Sequence, residues 1–525
     1  MTEIVARVEA LLEGSLLSKW APLVVACVTA GLVAWMWGGL DLPGAVHDER
    51  SYLVQARLLA SFTWTAPTPP VPAFWEMAHV FVEPALFSKY PPGHAPILVP
   101  GVWLGLEGLM PVVLSGASAA MIFVLARQIA GPWVGLLTWG IWTTAPRTLF
   151  WHATYFSQTT TSPLWLLAVL SLTQWIRSGR PWLLALVTAC VAWIGITRPV
   201  TGVALGLPIA AVVAYTSWHR GSLAGWGRSA AIGLLICALI PLWGWRTLGS
   251  PTALPYVEYS KWYFPWDLPG FVRDTTPPIR ELTPDLAALG AAVSRIYENH
   301  TISNVPSDFV SRLRLATSHP LGYAIPLALL APVGAIAAGA AVSMFVGASF
   351  LLLIGSYLIM PQPDSWTIYY LEVFAIPPFL VALGCVRGVA WLRSWAPLGW
   401  RWRRLVPRPA LLVPVILLVT VVGGHKTLRA YKGLHAMRGD RQLASRDRIR
   451  ALPDARVVVF VRGAGQLSPH FTLWDILGPP AKTDRWIVRD LGDRKNRELI
   501  AASDGRVPYV LDALSLTLTK ISDVQ

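Results

Sequence analysis

Two adjacent carboxylates, Asp48 and Glu49, stand directly after the first long apolar run of the chain, with His47 before them and Tyr52 shortly after. Carboxylates near hydrocarbon are costly to ionise, so a pair at such a place calls for a reason. One reason is chemistry: a carboxylate can act as general base on a hydroxyl. Two neighbouring carboxylates repel, which raises one pKa and suits a base. A plainer reason is local: Asp48 as a helix N-cap and Glu49 as a complement to the helix dipole. Local sequence alone leaves both open.

Cations and aromatics recur in the same kind of place. Lys89 and Tyr90 precede Pro91-Pro92-Gly93-His94, and Arg198 precedes Pro199. Lys89 and Arg198 are the candidates to hold a phosphate. Arg198 has an equal alternative as a snorkelling structural cation. Arg147, His152, Tyr155, Ser157 and Gln158 cluster around one junction of apolar runs. Tyr256, Glu258, Tyr259, Lys261, Tyr263 and Asp267 lie in a long polar loop, and Asp364, Tyr369, Tyr370 and Glu372 precede a late apolar run. Such a mixture suits a ligand with a charged lipid head and a sugar ring, on which aromatics stack. Each Tyr or Trp has the alternative of being an interface anchor.

The elements that must position these groups are membrane helices. Of 525 residues 54% are hydrophobic and only 14% charged, where a soluble chain carries roughly a quarter charged residues. The formal charge of +14 is concentrated in loops flanking apolar runs, where basic residues set orientation and meet anionic head groups. No basic–aromatic pattern points to nucleic acid. Cys27, Cys190, Cys237 and Cys385 fall in or beside apolar runs without metal-type spacing, and read as small buried hydrophobes. The acidic N-terminus is unlike a cleaved signal peptide, so the first run reads as a retained span.

Apolar runs at 20–40, 110–128, 133–150, 160–176, 182–197, 201–217, 229–245, 321–337, 341–359, 370–386 and 410–423 predict about eleven spans. The first loop, 41–109, should hold two membrane-hugging helices. One begins at Asp48 and runs to Phe62, with Leu53, Ala56 and Ala60 on one face and Arg50, Arg57 and Ser61 on another. The other, 95–106, is too short to cross. The proline-rich stretch 65–72 joins them. The long loop is 246–320. Arginines at 387–409, with Arg177, Arg180, Arg220 and Arg228, fall on one side, which places that side in the cytoplasm. The first loop, the long loop and the C-terminal region then lie outside, at the outer (periplasmic) face of the cell's inner membrane. Residues 1–425 form the membrane domain. Residues 426–525 change character: strands at 456–462, 485–488 and 507–511 and a helix at 493–502 predict a small soluble α/β domain. Arg462-Gly-Ala-Gly465 reads as a turn.

The motifs together resemble those of the GT-C membrane glycosyltransferases, specifically family 39, the protein O-mannosyltransferase and lipid A aminoarabinose transferase group in its bacterial branch. The resemblance rests on His47-Asp48-Glu49-x-x-Tyr52, Ser88-Lys89-Tyr90-Pro91-Pro92-Gly93-His94, Thr197-Arg198-Pro199, Pro255-Tyr256-Val257-Glu258-Tyr259 with the segment to Asp267 and Gly270, and Ile368-Tyr369-Tyr370-Leu371-Glu372. It covers roughly residues 20–390. Tyr90 intervenes where the aminoarabinose enzymes carry Lys directly before Pro-Pro, and Thr367 and Ile368 stand where the late motif carries an Arg. The resemblance implies a GT-C fold and a sugar donor on a polyprenyl phosphate. It implies a lipid, glycan or protein acceptor, Asp48 as base with Glu49 orienting or tuning, and inversion in one displacement. Lys89 and Arg198 would hold the donor phosphate, with His47, Tyr52, Tyr90, His94, Tyr256, Tyr259, Asp267, Tyr369, Tyr370 and Glu372 lining the substrate cavity. No cofactor is required by the pattern; a divalent metal stays open, and no ligand pair is identified.

Competing readings are a transporter or flippase of lipid-linked sugars, a glycan ligase, and a non-catalytic assembly protein built around the C-terminal domain. The first needs charges deep in spans or paired broken halves, and the charges here sit at span ends.

Overall fold

The structure is a computed structural model that describes residues 2–394, 408–463 and 483–521. Two helices, α1 (Thr2–Leu17) and α2 (Ala21–Trp37), open the chain with an 84° bend between their apolar parts. Gly38 (φ 80°) ends α2 in a left-handed conformation that favours glycine, and turns the chain into the first loop. That loop holds α3 (His47–Ala60), the short strands β1 (Ala66–Pro67), β2 (Val80–Phe81) and β3 (Ala85–Ser88), and α4 (Ala95–Trp103). The strands form a small antiparallel sheet in the order β1-β3-β2.

The bundle continues with α5 (Leu109–Ala130), α6 (Pro132–Thr144), α7 (Pro146–His152), α8 (Gln158–Ser178), α9 (Pro181–Thr197), α10 (Pro199–Arg220), α11 (Trp226–Cys237) and α12 (Leu239–Leu248). Proline in the first turn starts several of these, where its missing N–H is no loss. Pro146 also divides the run expected as one span at 133–150 into α6 and α7. The long loop carries α13 (Pro255–Tyr263) and α14 (Pro284–Glu298), and α15 (Val305–Leu321) leads back into the bundle. Then come α16 (Ala331–Ala338), α17 (Ala340–Ser356), a 3-10 turn at Thr367–Val373, α18 (Ile376–Ser394) and α19 (Pro409–Arg450). The run expected at 370–386 is helical in the α sense only from Ile376.

Among the described residues, by length and apolar composition, seven helices can cross a membrane, or eight if the bent α1–α2 pair counts as one span; Pro181–Thr197 is apolar but shorter. The expected count of about eleven includes runs that are broken, short or partly polar in the folded chain. Cys190 and Cys385 are buried as expected, but Cys27 and Cys237 lie on the outside of apolar helices.

The C-terminal region adds β4 (Val457–Arg462), β5 (Arg485–Arg489), α20 (Asp493–Ala501), β6 (Val507–Asp512) and β7 (Leu518–Lys520) in a four-stranded sheet of order β5-β4-β6-β7. The strands β5, β4 and β6 are parallel and β7 is antiparallel. Residue 426 falls inside α19, which carries the chain from the bundle to the sheet without a break. Ala464 and Gly465 of the expected turn, and most of the arginine-bearing 387–409 loop, lie outside the described residues.

The first loop is enclosed rather than spread on a lipid surface. Most of α3, including Arg50, Ser51 and Gln55 on its polar face, is buried. Arg50 turns back to the Gly44 carbonyl at 2.9 Å. Phe74 and Trp75 of the loop pack on Phe460 and Trp486 of the C-terminal sheet, with ring centroids 5.9 and 5.4 Å apart. Arg489 of β5 reaches Asp285, Thr283 and the Glu76 carbonyl. The C-terminal sheet therefore roofs the loop that carries the carboxylates.

Candidate active site

The local fold separates the two carboxylates. Helix α3 begins at His47 with Val46 at its N-cap, so Asp48 lies within the first turn and is no capping residue. Glu49 does that work. Its Oε2 accepts the N–H groups of Ala45 (2.7 Å) and Val46 (3.1 Å), and its Oε1 accepts that of Tyr155 (2.9 Å). A carboxylate three residues into a helix satisfies donors that the first turn leaves open. Glu49 is a buried structural anchor tying α3 to the α7–α8 junction.

Asp48 faces the other way. Its side chain is 38% exposed, beside the half-buried rings of Tyr90 and His79. The Tyr90 hydroxyl donates to Oδ1, and His79 Nε2 lies 3.8 Å from Oδ2. Burial acts to raise the Asp48 carboxyl, but the His79 charge, the Tyr90 hydroxyl and the Lys89 charge outweigh it and hold the group below the ordinary carboxylate range. This corrects the expectation that a repelling Glu49 would raise it: Glu49 is spent on backbone donors.

His79 is fixed with unusual firmness. It sits at φ 69°, a conformation uncommon for a residue with a side chain. Its N–H donates to the Tyr259 hydroxyl (2.8 Å), and its carbonyl accepts from the Lys89 N–H (3.0 Å) and the Ser51 hydroxyl (2.8 Å). Such strain persists only where the surroundings over-determine it. Here they place an imidazole against Asp48.

Strand β3 delivers Lys89 and Tyr90. The Lys89 ammonium is 1% exposed and pairs with Asp267 Oδ2 at 2.9 Å. It also lies over the rings of Tyr256, Tyr259 and Tyr90 at 4.5, 5.1 and 5.4 Å. Asp267 also accepts from the Tyr297 hydroxyl at 3.0 Å. Tyr90 stacks on Tyr52 (4.5 Å between centroids), and the Tyr52 hydroxyl donates to Ser157 Oγ at 3.2 Å. Burial raises the hydroxyl pKa of Tyr52, Tyr90 and Tyr256, so these groups remain neutral donors.

That Tyr52–Ser157 contact leads to Arg198, which also reaches Ser157 Oγ (3.2 Å) and the Tyr357 hydroxyl (2.6 Å). With its amide turned so that the oxygen faces the guanidinium, Gln158 accepts from Arg198 at 2.9 and 3.1 Å. The Tyr369 ring covers Arg198 at 5.2 Å. Gly93 permits this assembly: a Cβ there would meet Thr197 Oγ1 at 2.1 Å, so only glycine lets the Lys89–His94 loop lie against the end of α9.

Other expected residues are placed differently. His94 accepts from Thr160 at Nδ1 and donates from Nε2 to the Tyr155 carbonyl, both at 2.8 Å. Burial pushes its pKa down to about 4, so it is a neutral brace. The His47 ring is buried, 6.2 Å from that of His79. Tyr259 is fully buried beneath His79. Tyr370 accepts from Gln362 (3.0 Å), and Glu372 accepts from Thr161 (2.5 Å). Both lie in the core. His79, Tyr297 and Tyr357 join the site without a signal in the sequence. Among the described residues no three His, Cys, Asp or Glu side chains group as a metal site.

The chain matches no family model and no curated protein. Among solved structures it is similar to ArnT from Cupriavidus metallidurans bound to undecaprenyl phosphate, at 14% identity over 95% of this chain and 91% of that one, with a TM-score of 0.48. It is similar to the Archaeoglobus fulgidus oligosaccharyltransferase in its apo form at 10% identity, over 94% of this chain and 69% of that one, with a TM-score of 0.46. It is also similar to the arabinosyltransferase EmbB from Mycobacterium smegmatis at 13% identity, over 79% of this chain and 39% of that one, with a TM-score of 0.35.

Proposed function

We propose that this chain is a GT-C membrane glycosyltransferase. It moves a sugar from a polyprenyl phosphate to a hydroxyl or phosphate of a lipid, glycan or protein acceptor, at the outer face of the inner membrane. The observation that supports this reading is the Asp48 carboxylate, partly exposed, held below the ordinary carboxylate range, and linked to Arg198 through Tyr90, Tyr52 and Ser157. Residues 1–425 form the membrane part in this reading, and residues 426–525 the outer roof.

In the proposed reaction the acceptor oxygen attacks the anomeric carbon from the Asp48 side. The carboxylate takes the proton as the new C–O bond forms. The bond from the sugar to the phosphate oxygen breaks on the far side, and its electron pair leaves with the lipid phosphate. Arg198 stabilises the charge that develops there. Its hydrogen-bond partners, Ser157, Gln158, Thr201 and Tyr357, are uncharged. The one carboxylate that bears on it, Glu372, makes no hydrogen bond to it and accepts from Thr161 instead, which leaves guanidinium donors for an anion. Lys89 is already matched by Asp267; its part is to hold Asp267 and the tyrosine wall unless a phosphate displaces that carboxylate. A displacement with attack and departure on opposite faces inverts the anomeric centre.

The test is transfer by the purified protein from a polyprenyl-phosphate sugar, with products analysed by mass spectrometry. Product with inverted anomeric configuration supports the reading. No transfer from any such donor, in a preparation that binds polyprenyl phosphate, overturns it.

A further inference from the structure

A second cation stands apart from Arg198. Arg147, at the start of α7, is half-buried, yet it makes no hydrogen bond or ion pair with another described residue. The rings of Tyr431, Trp151 and Phe150 surround it at 5.2, 5.5 and 5.8 Å. Aromatic faces stabilise a guanidinium without using its N–H groups. Those donors remain available.

His319 of α15 supplies another donor at the same place. The Trp151 indole N–H donates to Thr367 Oγ1 at 3.2 Å. The Thr367 hydroxyl has no other acceptor among the described residues than His319 Nδ1, at 2.7 Å. Its proton therefore goes to Nδ1, and the neutral ring carries its own proton on Nε2. No described residue accepts from that Nε2–H. A guanidinium and an imidazole N–H, with no acceptor for either among the described residues, thus flank Trp151: Arg147 lies over its ring, and its indole N–H shares Thr367 with His319.

The spot also has a defined level in the bundle. Tyr431 is close to the end of the apolar part of α19, Pro409–Leu434. Arg147 follows directly on α6. Both lie near the end of an apolar helical stretch, and lipid phosphates meet membrane proteins near such ends.

We propose that Arg147 and His319 form a second anion site, for a phosphate group, separate from the one at Arg198. The phosphate is that of a lipid head group or a free phosphate; the chemistry of recognition is the same, a charge-assisted fork plus one neutral donor. Thr367, which orients His319, opens the 3-10 turn that also carries Tyr369 over Arg198. One turn thus touches both anion sites.

The test uses the full chain in detergent and needs no sugar transfer, so it fails or succeeds independently of the proposed activity. Binding of phosphatidylglycerol is measured by native mass spectrometry, and binding of inorganic phosphate by thermal shift. Arg147→Gln is expected to bind the occupant about ten-fold more weakly, as for loss of one charge-assisted contact. Arg147→Lys should retain most of the binding, and His319→Phe should weaken it. Loss confined to the lipid arm identifies a head-group site; loss in both arms identifies a free-phosphate site. Arg147→Gln binding both probes within about two-fold of wild type, well inside that expectation, overturns the proposal. If Arg147→Gln does not fold, His319→Phe decides: unchanged binding of both probes in that variant overturns it equally.

Discussion

Replacing Arg198 separates its proposed role as a phosphate ligand from its role in the fold. In Arg198→Ala the donor phosphate loses at least one charge-assisted hydrogen bond, about 1.5–3 kcal/mol. At 1.4 kcal/mol per factor of ten, that weakens donor binding roughly 10- to 150-fold. The structural cost comes from the partners left behind. Tyr357 keeps a hydrogen bond to Thr201 at 2.8 Å, and Ser157 keeps Tyr52, so neither is orphaned. Gln158 is 1% exposed and loses its donors, which costs about 1–3 kcal/mol of stability. Arg198→Lys is therefore the cleaner variant: one ammonium can serve Gln158 and keep the charge, but it cannot present a fork. The assay is initial-rate kinetics against a polyprenyl-phosphate sugar, with melting temperature measured alongside. Donor KM should rise strongly in Ala and less in Lys, with the Lys protein melting near wild type. A donor KM unchanged in both variants refutes the assignment of the phosphate to Arg198.

Glu49→Gln should be a folding variant: it weakens hydrogen bonds from Ala45, Val46 and Tyr155 to a charged group, at about 1.5–3 kcal/mol for one such bond. Its melting temperature should fall well before its per-molecule activity does. Tyr90→Phe removes the hydroxyl that helps hold the Asp48 carboxyl low. Because the folded group titrates below its ordinary range, its stabilisation is present above that range and lost as pH falls through the folded value. The variant's carboxyl rises, so the acid limb of its pH–rate profile should move to higher pH; an unmoved limb would detach Asp48 from that limb. For orientation, Arg497 on α20 and Ser394 at the end of α18 are both exposed. In intact cells an impermeant thiol reagent should label Arg497→Cys and spare Ser394→Cys, and the reverse pattern would invert the topology.

Much of the secondary structure was legible because it depends on local pattern. The C-terminal strand at 456–462 is a β-branched run and that at 507–511 a short apolar stretch, and both form within a residue or so of those limits. The helix predicted from Asp48 forms from His47. Its environment was not legible: Arg50 and Arg57 read as a solvated face, yet the C-terminal sheet and the β1–β3 segment bury much of that face, a contact between residues hundreds of positions apart. The site divides the same way. Asp48, Tyr52, Lys89, Tyr90, Asp267, Arg198 and Tyr369 come together from loops whose motifs could be listed in order. The division of labour between Asp48 and Glu49 could not be read, because it depends on the backbone N–H of Tyr155, far along the chain. His79 gave no signal, since one histidine in a loop carries none until its backbone conformation is known.

The central claim is that Asp48 takes the acceptor's proton, and the most direct test is single-turnover transfer by Asp48→Asn. Asparagine preserves the size of the side chain and can still accept from Tyr90, but it cannot take the proton. The helix does not rely on Asp48 for its cap, because Glu49 holds the backbone donors. Protein level and melting temperature should stay near wild type, while the rate falls by about 10²- to 10⁴-fold, the usual contribution of a general base. Transfer by a well-folded Asp48→Asn protein at more than about a tenth of the wild-type rate, far above that expectation, would contradict the account.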